Sequence, residues 1–159
     1  MFFDQAKIYI RSGNGGDGML SFRREKHVPF GGPDGGDGGD GGDIIFAGNR
    51  HLNSLMRFNR QAHFKAEHGK HGGTQKRNGK RGEHLRIEVP AGTVIRDAET
   101  GQVLADITSE DQELTVLKGG KGGRGNTHFA SSVNQAPRLA ERGEQGEELW
   151  VTLELKLIA

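Results

Sequence analysis

Residues 31–43 read GGPDGGDGGDGGD, and eight of these thirteen residues are glycine. From Asp34 the unit Asp-Gly-Gly repeats three times and closes on Asp43. A repeat of three fits neither the ~3.6-residue turn of an α-helix nor the two-residue alternation of a strand. It fits polyproline II, which has about three residues per turn and no internal hydrogen bonds. The aspartates then form one ridge and the glycines two, and bare glycine ridges admit another backbone at close range, as at the collagen axis. A flexible linker is the plain alternative. Against it stand the missing serines, the strict period and its recurrence at Gly13/Gly16, Gly15/Gly18, Gly69/Gly72, Gly79/Gly82, Gly119/Gly122/Gly125 and Gly120/Gly123. Ordering a stretch of this length costs roughly 13–26 kcal/mol of backbone entropy. With almost no apolar side chain in it, only backbone hydrogen bonding between segments can offset that cost. The expectation is a bundle of polyproline II helices, with Gly35, Gly36, Gly38, Gly39, Gly41 and Gly42 as its structural glycines.

The rest of the chain supplies strands. Phe2–Arg11 alternates around Ile8 and Ile10, and Leu85–Val89 around Ile87. Residues 44–47, 93–96 and 114–117 are further short strands, and Val103–Ile107 is the antiparallel partner of 93–96 across a turn. Residues 19–22 pair briefly, 51–64 hold one or two helical turns, and 127–146 read as irregular loop. Residues 149–157 alternate most clearly, and the chain stops at Ile158-Ala159, which reads like a cut at a domain boundary. Many strands, many turns and almost no helix predict a mainly β chain, an antiparallel barrel or sandwich with glycine loops projecting from it.

At 159 residues and 32% hydrophobic, the chain is one domain with a small core. It has no cysteine, so no disulfide framework or thiolate metal site is expected. No signal peptide and no membrane span are read, and a cytoplasmic location is the default. The net charge of +1 hides a segregation. From Arg57 to Arg86 there are nine Lys or Arg against Glu67 and Glu83, whereas from Ile87 to Leu117 Arg96 stands against seven Asp or Glu. Such a split suggests one basic face.

Several chemistries fail on spacing. A phosphate-binding P-loop needs G-x-x-x-x-G-K-[ST]. The Gly-Lys pairs end at Lys70, Lys80 and Lys121 and are followed by His71, Arg81 and Gly122, so none matches. Residues 38–46 fit one calcium-binding β-roll nonapeptide, but the preceding register fails because Gly42 holds its apolar position. His63, His68 and His71 lack a completing ligand set. Asp34, Asp37 and Asp40 are expected to cap backbone or meet solvent, since nothing apolar nearby would raise a carboxyl pKa. What remains is lysine and arginine interspersed with glycine, suited to following a phosphate backbone. Aromatics for base stacking are scarce, so structured RNA read by shape and phosphate is the expected partner. A calcium-stabilised Gly/Asp structural domain and a protein-interaction domain with an acidic partner remain alternatives.

FRREK at residues 22–26, the central glycine motif, KGGKGGRGNTHF at 118–129 and LELKLIA at 153–159 together resemble the N-terminal domain of the Obg family of GTPases over the whole chain. The resemblance implies polyproline II helices on a small β-barrel. It implies a monomeric module on the large ribosomal subunit, active in its assembly and in stress and growth control, with the glycine loops reaching rRNA near the peptidyl transferase region. GTP and Mg²⁺ would belong to a GTPase domain that follows in the family, so no catalytic residue, cofactor or metal is expected in residues 1–159. Carried over by motif, the RNA-facing candidates are Arg23, Arg24, Lys26 and His27 in the first loop. They are Lys76, Arg77, Lys80 and Arg81 in the second, and Lys121, Arg124 and His128 in the third. Some of these side chains are alternatively expected to pair with Asp37 or Asp40 inside the bundle, Arg23 and Arg24, nearest the barrel, ahead of the loop-tip residues.

Overall fold

The computed structural model describes residues 2–24 and 31–157. Eight strands follow in chain order: β1 (Phe2–Arg11), β2 (Ile44–Gly48), β3 (His63–Lys65), β4 (Leu85–Val89), β5 (Thr93–Asp97), β6 (Val103–Ile107), β7 (Glu113–Leu117) and β8 (Glu148–Leu157). They form a five-stranded sheet in the order β3-β1-β8-β5-β6 and a three-stranded sheet in the order β4-β2-β7. The mainly β expectation holds. The closed antiparallel barrel does not: both sheets are open, and β1–β3 and β2–β4 are parallel pairs. Residues 51–64 yield one 3₁₀ turn, Met56–Asn59, and then β3. Residues 19–22 contribute a single bridge, Phe22 to Pro33.

The two sheets share one core. Ile8 and Ile10 of β1, Val151 and Leu153 of β8 and Ile95 of β5 meet Ile44 and Phe46 of β2 and Ile87 and Val89 of β4, all buried. Each large aliphatic side chain removed from water contributes about 1.5–3 kcal/mol. Leu55 and Phe58 of the 3₁₀ turn close the core, and Asp4 Oδ2 accepts the Leu55 N–H at 2.6 Å.

Six extended segments leave the sheets: 12–19, 34–43, 66–73, 76–84, 118–126 and 141–147. The pairings of β1 run on into segment pairings. The parallel β1–β3 register continues as Ala66 N–H to Arg11 C=O, Gly69 to Asn14 and Gly72 to Asp17. The antiparallel β1–β8 register continues as Ser12 to Glu147, Gly15 to Glu144 and Gly18 to Glu141. Hydrogen bonds recur every third residue because each residue of a turn faces a different neighbour.

Segment 34–43 lies among four others, and this explains its Asp-Gly-Gly unit. Gly38 and Gly41 donate to Gly123 and Gly120, and Gly35 to Asn126 Oδ1. Gly36, Gly39 and Gly42 donate to Gly73, Lys70 and Glu67. The carbonyls of Asp34, Asp37 and Asp40 accept from Lys76, Gly79 and Gly82. The side chains of Asp37, Asp40 and Asp43 accept the N–H groups of Gly125, Gly122 and Gly119 at 2.9, 2.8 and 2.7 Å. Backbone capping is therefore what these carboxylates do. A Cβ at Gly38 would stand 1.8 Å from Gly16 O and 2.3 Å from its carbonyl carbon, whereas one at Gly32 meets nothing within 4 Å.

The sixth segment, 141–147, lies inside the stretch expected to be irregular. Gly143 and Gly146 are its signal, three apart; their N–H groups are capped by Asp17 Oδ1 and Asn14 Oδ1, both at 2.8 Å.

Two outcomes are expected in denaturant unfolding. Gly38→Ala should lower the unfolding free energy by about 3 kcal/mol or more, and Gly32→Ala should leave it within about 0.5 kcal/mol. Asp40→Ala, which strands the Gly122 N–H, should cost about 1–2 kcal/mol, and Asp40→Asn, which keeps an acceptor, about 0.5 kcal/mol.

Candidate nucleic-acid interface

The six segments run outward and back as three hairpin-like excursions. Their outer ends are marked by residues 20–24 and 31–33 for the first, 74–75 for the second and 127–140 for the third. The rungs of the first excursion give its direction: Gly13 to Gly42 beside the sheets, then Gly16 to Gly39, Met19 to Gly36 and Arg23 to Gly32. The rungs of the second run from Glu67 with Glu83, through Lys70 with Lys80, to Gly73 with Arg77. All three tips therefore share the end of the bundle farthest from the sheets. Arg23 and Arg24 sit there, not nearest the sheets as expected.

A cleft of about 790 Å³ opens between the first two tips, lined by Leu20, Phe22, Arg24, Asp34, Gln75 and Lys76, among others. Gln75 and Lys76 both have φ of 57°, in the left-handed region that non-glycine residues rarely adopt. Asp34 holds them: its Oδ2 accepts the Gln75 N–H at 3.2 Å and its carbonyl accepts the Lys76 N–H at 2.6 Å. Asp34 is buried, and its Oδ1 has no hydrogen-bond partner among the described residues.

The expected cations separate into three groups. Arg24, Lys76 and Arg77 are exposed at the tips, together with Arg23, while Lys26 and His27 lie outside the described residues. Lys80, Arg81 and Lys121 are exposed on the flank, one rung nearer the sheets. Arg124 and His128 already have protein partners. Arg124 Nε donates to Glu141 Oε1 at 2.7 Å, and its guanidinium lies 5.0 Å from the Phe129 ring centre. His128 Nε2 lies 2.8 Å from Asp37 Oδ1.

Hydrogen bonding with Arg124 holds the Glu141 carboxyl below its ordinary range, and the same bond raises the guanidinium. The lowered carboxyl contributes stability above the ordinary carboxylate range, and that contribution is lost as pH falls through the lowered value. The pair is solvent-exposed and screened, so its effect is local: it clamps the third excursion shut.

Asn126 carries no expected role in the sequence, yet it is fully buried. Its Oδ1 accepts the Gly35 N–H at 2.9 Å, and its Nδ2 donates to Ser21 O at 2.9 Å and Pro137 O at 3.2 Å. One amide thus joins the first and third excursions. The one available signal is the end of the glycine period at Gly125, where a polar residue follows. Among the described residues no three His, Asp or Glu side chains gather as metal ligands. No helix among them is long and apolar enough to cross a membrane.

A family profile described as GTP1/OBG matches residues 3–157. Over 159 residues the chain is 58% identical to the GTPase Obg of Desulforamulus reducens, covering all of this chain and 38% of that protein. It is likewise 58% identical to the GTPase Obg of Caldicellulosiruptor bescii, with 37% of that protein covered. For the GTPase Obg of a Sulfurihydrogenibium species the identity is 57% and the share 46%. The chain spans less than half the length of each of these relatives. A glycine-rich bundle on two small sheets, with this extent of identity along all of its length, places the chain in the GTP1/OBG family.

Proposed function

We propose that the chain is the ribosome-binding module of an Obg-like GTPase. Its tips contact large-subunit rRNA near the peptidyl transferase region, and it serves large-subunit assembly and stress or growth control in the cytoplasm, acting as a monomer. GTP and Mg²⁺ are assigned to the remainder of the longer parent, and the chain itself is a binding module without catalysis. The observation that carries this reading is the convergence of three excursions at one end, where Arg24, Lys76 and Arg77 stand exposed with Lys80, Arg81 and Lys121 just behind. Cations on a stiff scaffold suit phosphate contacts, which position a protein on RNA without reading its sequence.

The scaffold supports the same reading. We take the glycine segments as polyproline II helices, since their rungs recur every three residues and Gly125 has φ −70° and ψ 165°. Arg124 and His128 act within this scheme by closing the third excursion through Glu141 and Asp37. They shape the tip, and the exposed cations make the contact.

The test is co-sedimentation of the 159-residue chain with purified large ribosomal subunits across a salt series. With about six phosphate contacts, log K should fall with log salt at a slope of roughly −4 to −5. The double variant Lys80→Glu/Arg81→Glu should flatten the slope by about 1.5–2 and weaken binding while the circular dichroism melt stays unchanged. Unchanged binding would move the contact away from this flank. No binding at low salt by folded protein would make ribosome association depend on the rest of the parent.

A further inference from the structure

Trp150 is the chain's single tryptophan, and it stands on the outer face of β8. The strand register sets it beside Tyr9 of β1 and sets Tyr9 beside His63 of β3. Three rings from distant parts of the chain thereby form one cluster. The centroids lie 5.4 Å apart for Tyr9–His63, 5.5 Å for Tyr9–Trp150 and 5.6 Å for His63–Trp150. This is not core. The alternate residues Ile8, Ile10, Phe64 and Val151 point inward and are buried, whereas Trp150 keeps 42% of its surface in solvent and His63 is exposed.

The surroundings are cationic. Lys7 Nζ lies 5.5 Å from the Trp150 ring centre, and Arg11 and Lys65 are register partners on the same outer face. Lys7 and Lys65 are in no ion pair among the described residues, while Arg11 hydrogen-bonds Tyr9 and is the register partner of Glu148. The acidic neighbours on the face are occupied: Glu148 accepts a hydrogen bond from the Tyr9 hydroxyl, and Glu154 is held by Arg96 at 3.3 Å. Exposed rings beside Lys7 and Lys65 match a partner that offers flat rings and negative charge together. An acidic peptide would satisfy the cations and leave the rings in water.

We propose that this face binds single-stranded nucleic acid, with unpaired bases stacked on Trp150 and His63 and phosphates held by Lys7 and Lys65. The site is separate from the three tips and lies on the five-stranded sheet. Stacking on aromatic side chains tolerates any base and makes no use of the sugar, so RNA and DNA strands bind alike.

The single tryptophan is its own reporter. Titration of the 159-residue chain with an oligoadenylate octamer at low salt should quench Trp150 emission, in ribo and deoxyribo forms equally. His63→Ala should weaken that binding about five-fold, and Lys7→Glu/Lys65→Glu about ten-fold, with unchanged thermal melts. Trp150→Leu, read by anisotropy of a labelled octamer, should lose about ten-fold. Lys80→Glu/Arg81→Glu should leave the quench intact. Unchanged emission overturns the proposal, as does a quench that survives both His63→Ala and the charge reversals. Either result leaves the tip assignment to its own sedimentation test. A quench by RNA alone overturns the sugar-blind stacking mode.

Discussion

Carbonyl oxygens of one segment press against the bare Cα atoms of the next, and every other feature of the bundle follows from that approach. A Cβ placed on Gly35, Gly38 or Gly41 would lie within about 2 Å of the carbonyl oxygens of Met19, Gly16 and Gly13. One placed on Gly36, Gly39 or Gly42 would meet those of Arg77, Lys80 and Glu83 in the same way. At that range a carbonyl meets a Cα–H, a weak contact that recurs at each rung and supplements the N–H bonds. A segment with no apolar side chain is thus held from several sides by backbone alone. This is how the buried polar groups of extended chain are satisfied outside a sheet.

The bundle also joins the two sheets. Segment 12–19 continues β1 of the larger sheet, and segment 34–43 leads into β2 of the smaller one. They pair with each other at Gly13 with Gly42, Gly16 with Gly39 and Met19 with Gly36. The shared core below and these rungs above couple the same two sheets. The position of the tips is therefore set by the strands, and residues such as Lys76 or Arg77 are presented on a rigid support.

Alternation made the strands legible, because it reports which face is buried. It says nothing about which strand lies alongside, so the parallel partners of β1 and β2 were not visible and an antiparallel barrel was expected. The period of three made the glycine bundle legible for the same kind of reason. It did not reveal 141–147, where Gly143 and Gly146 give only one repeat and the neighbouring residues are long and polar. The cations at 76–81 were legible as a group, but their place at or near a common end depends on three excursions turning together. Arg124 and His128 read first as RNA-facing because the sequence does not single out their partners, Glu141 and Asp37, which lie far away along the chain. The ring cluster was hidden likewise: alternation turns Tyr9 and Trp150 outward, and only the register makes them neighbours.

The rung spacing governs which chain lengths the bundle can accommodate. Deleting one residue within 34–43 would shift every later residue by one place in the three-residue rung pattern. An aspartate would then face a carbonyl where Gly38 now leaves no room for even a methyl group. Deleting three residues restores the facing and shortens the excursion by one rung, provided the segments alongside shorten too. Length in the six segments is therefore quantised in triplets and shared among neighbours. Relatives that differ in reach should differ by whole rungs in the bundle.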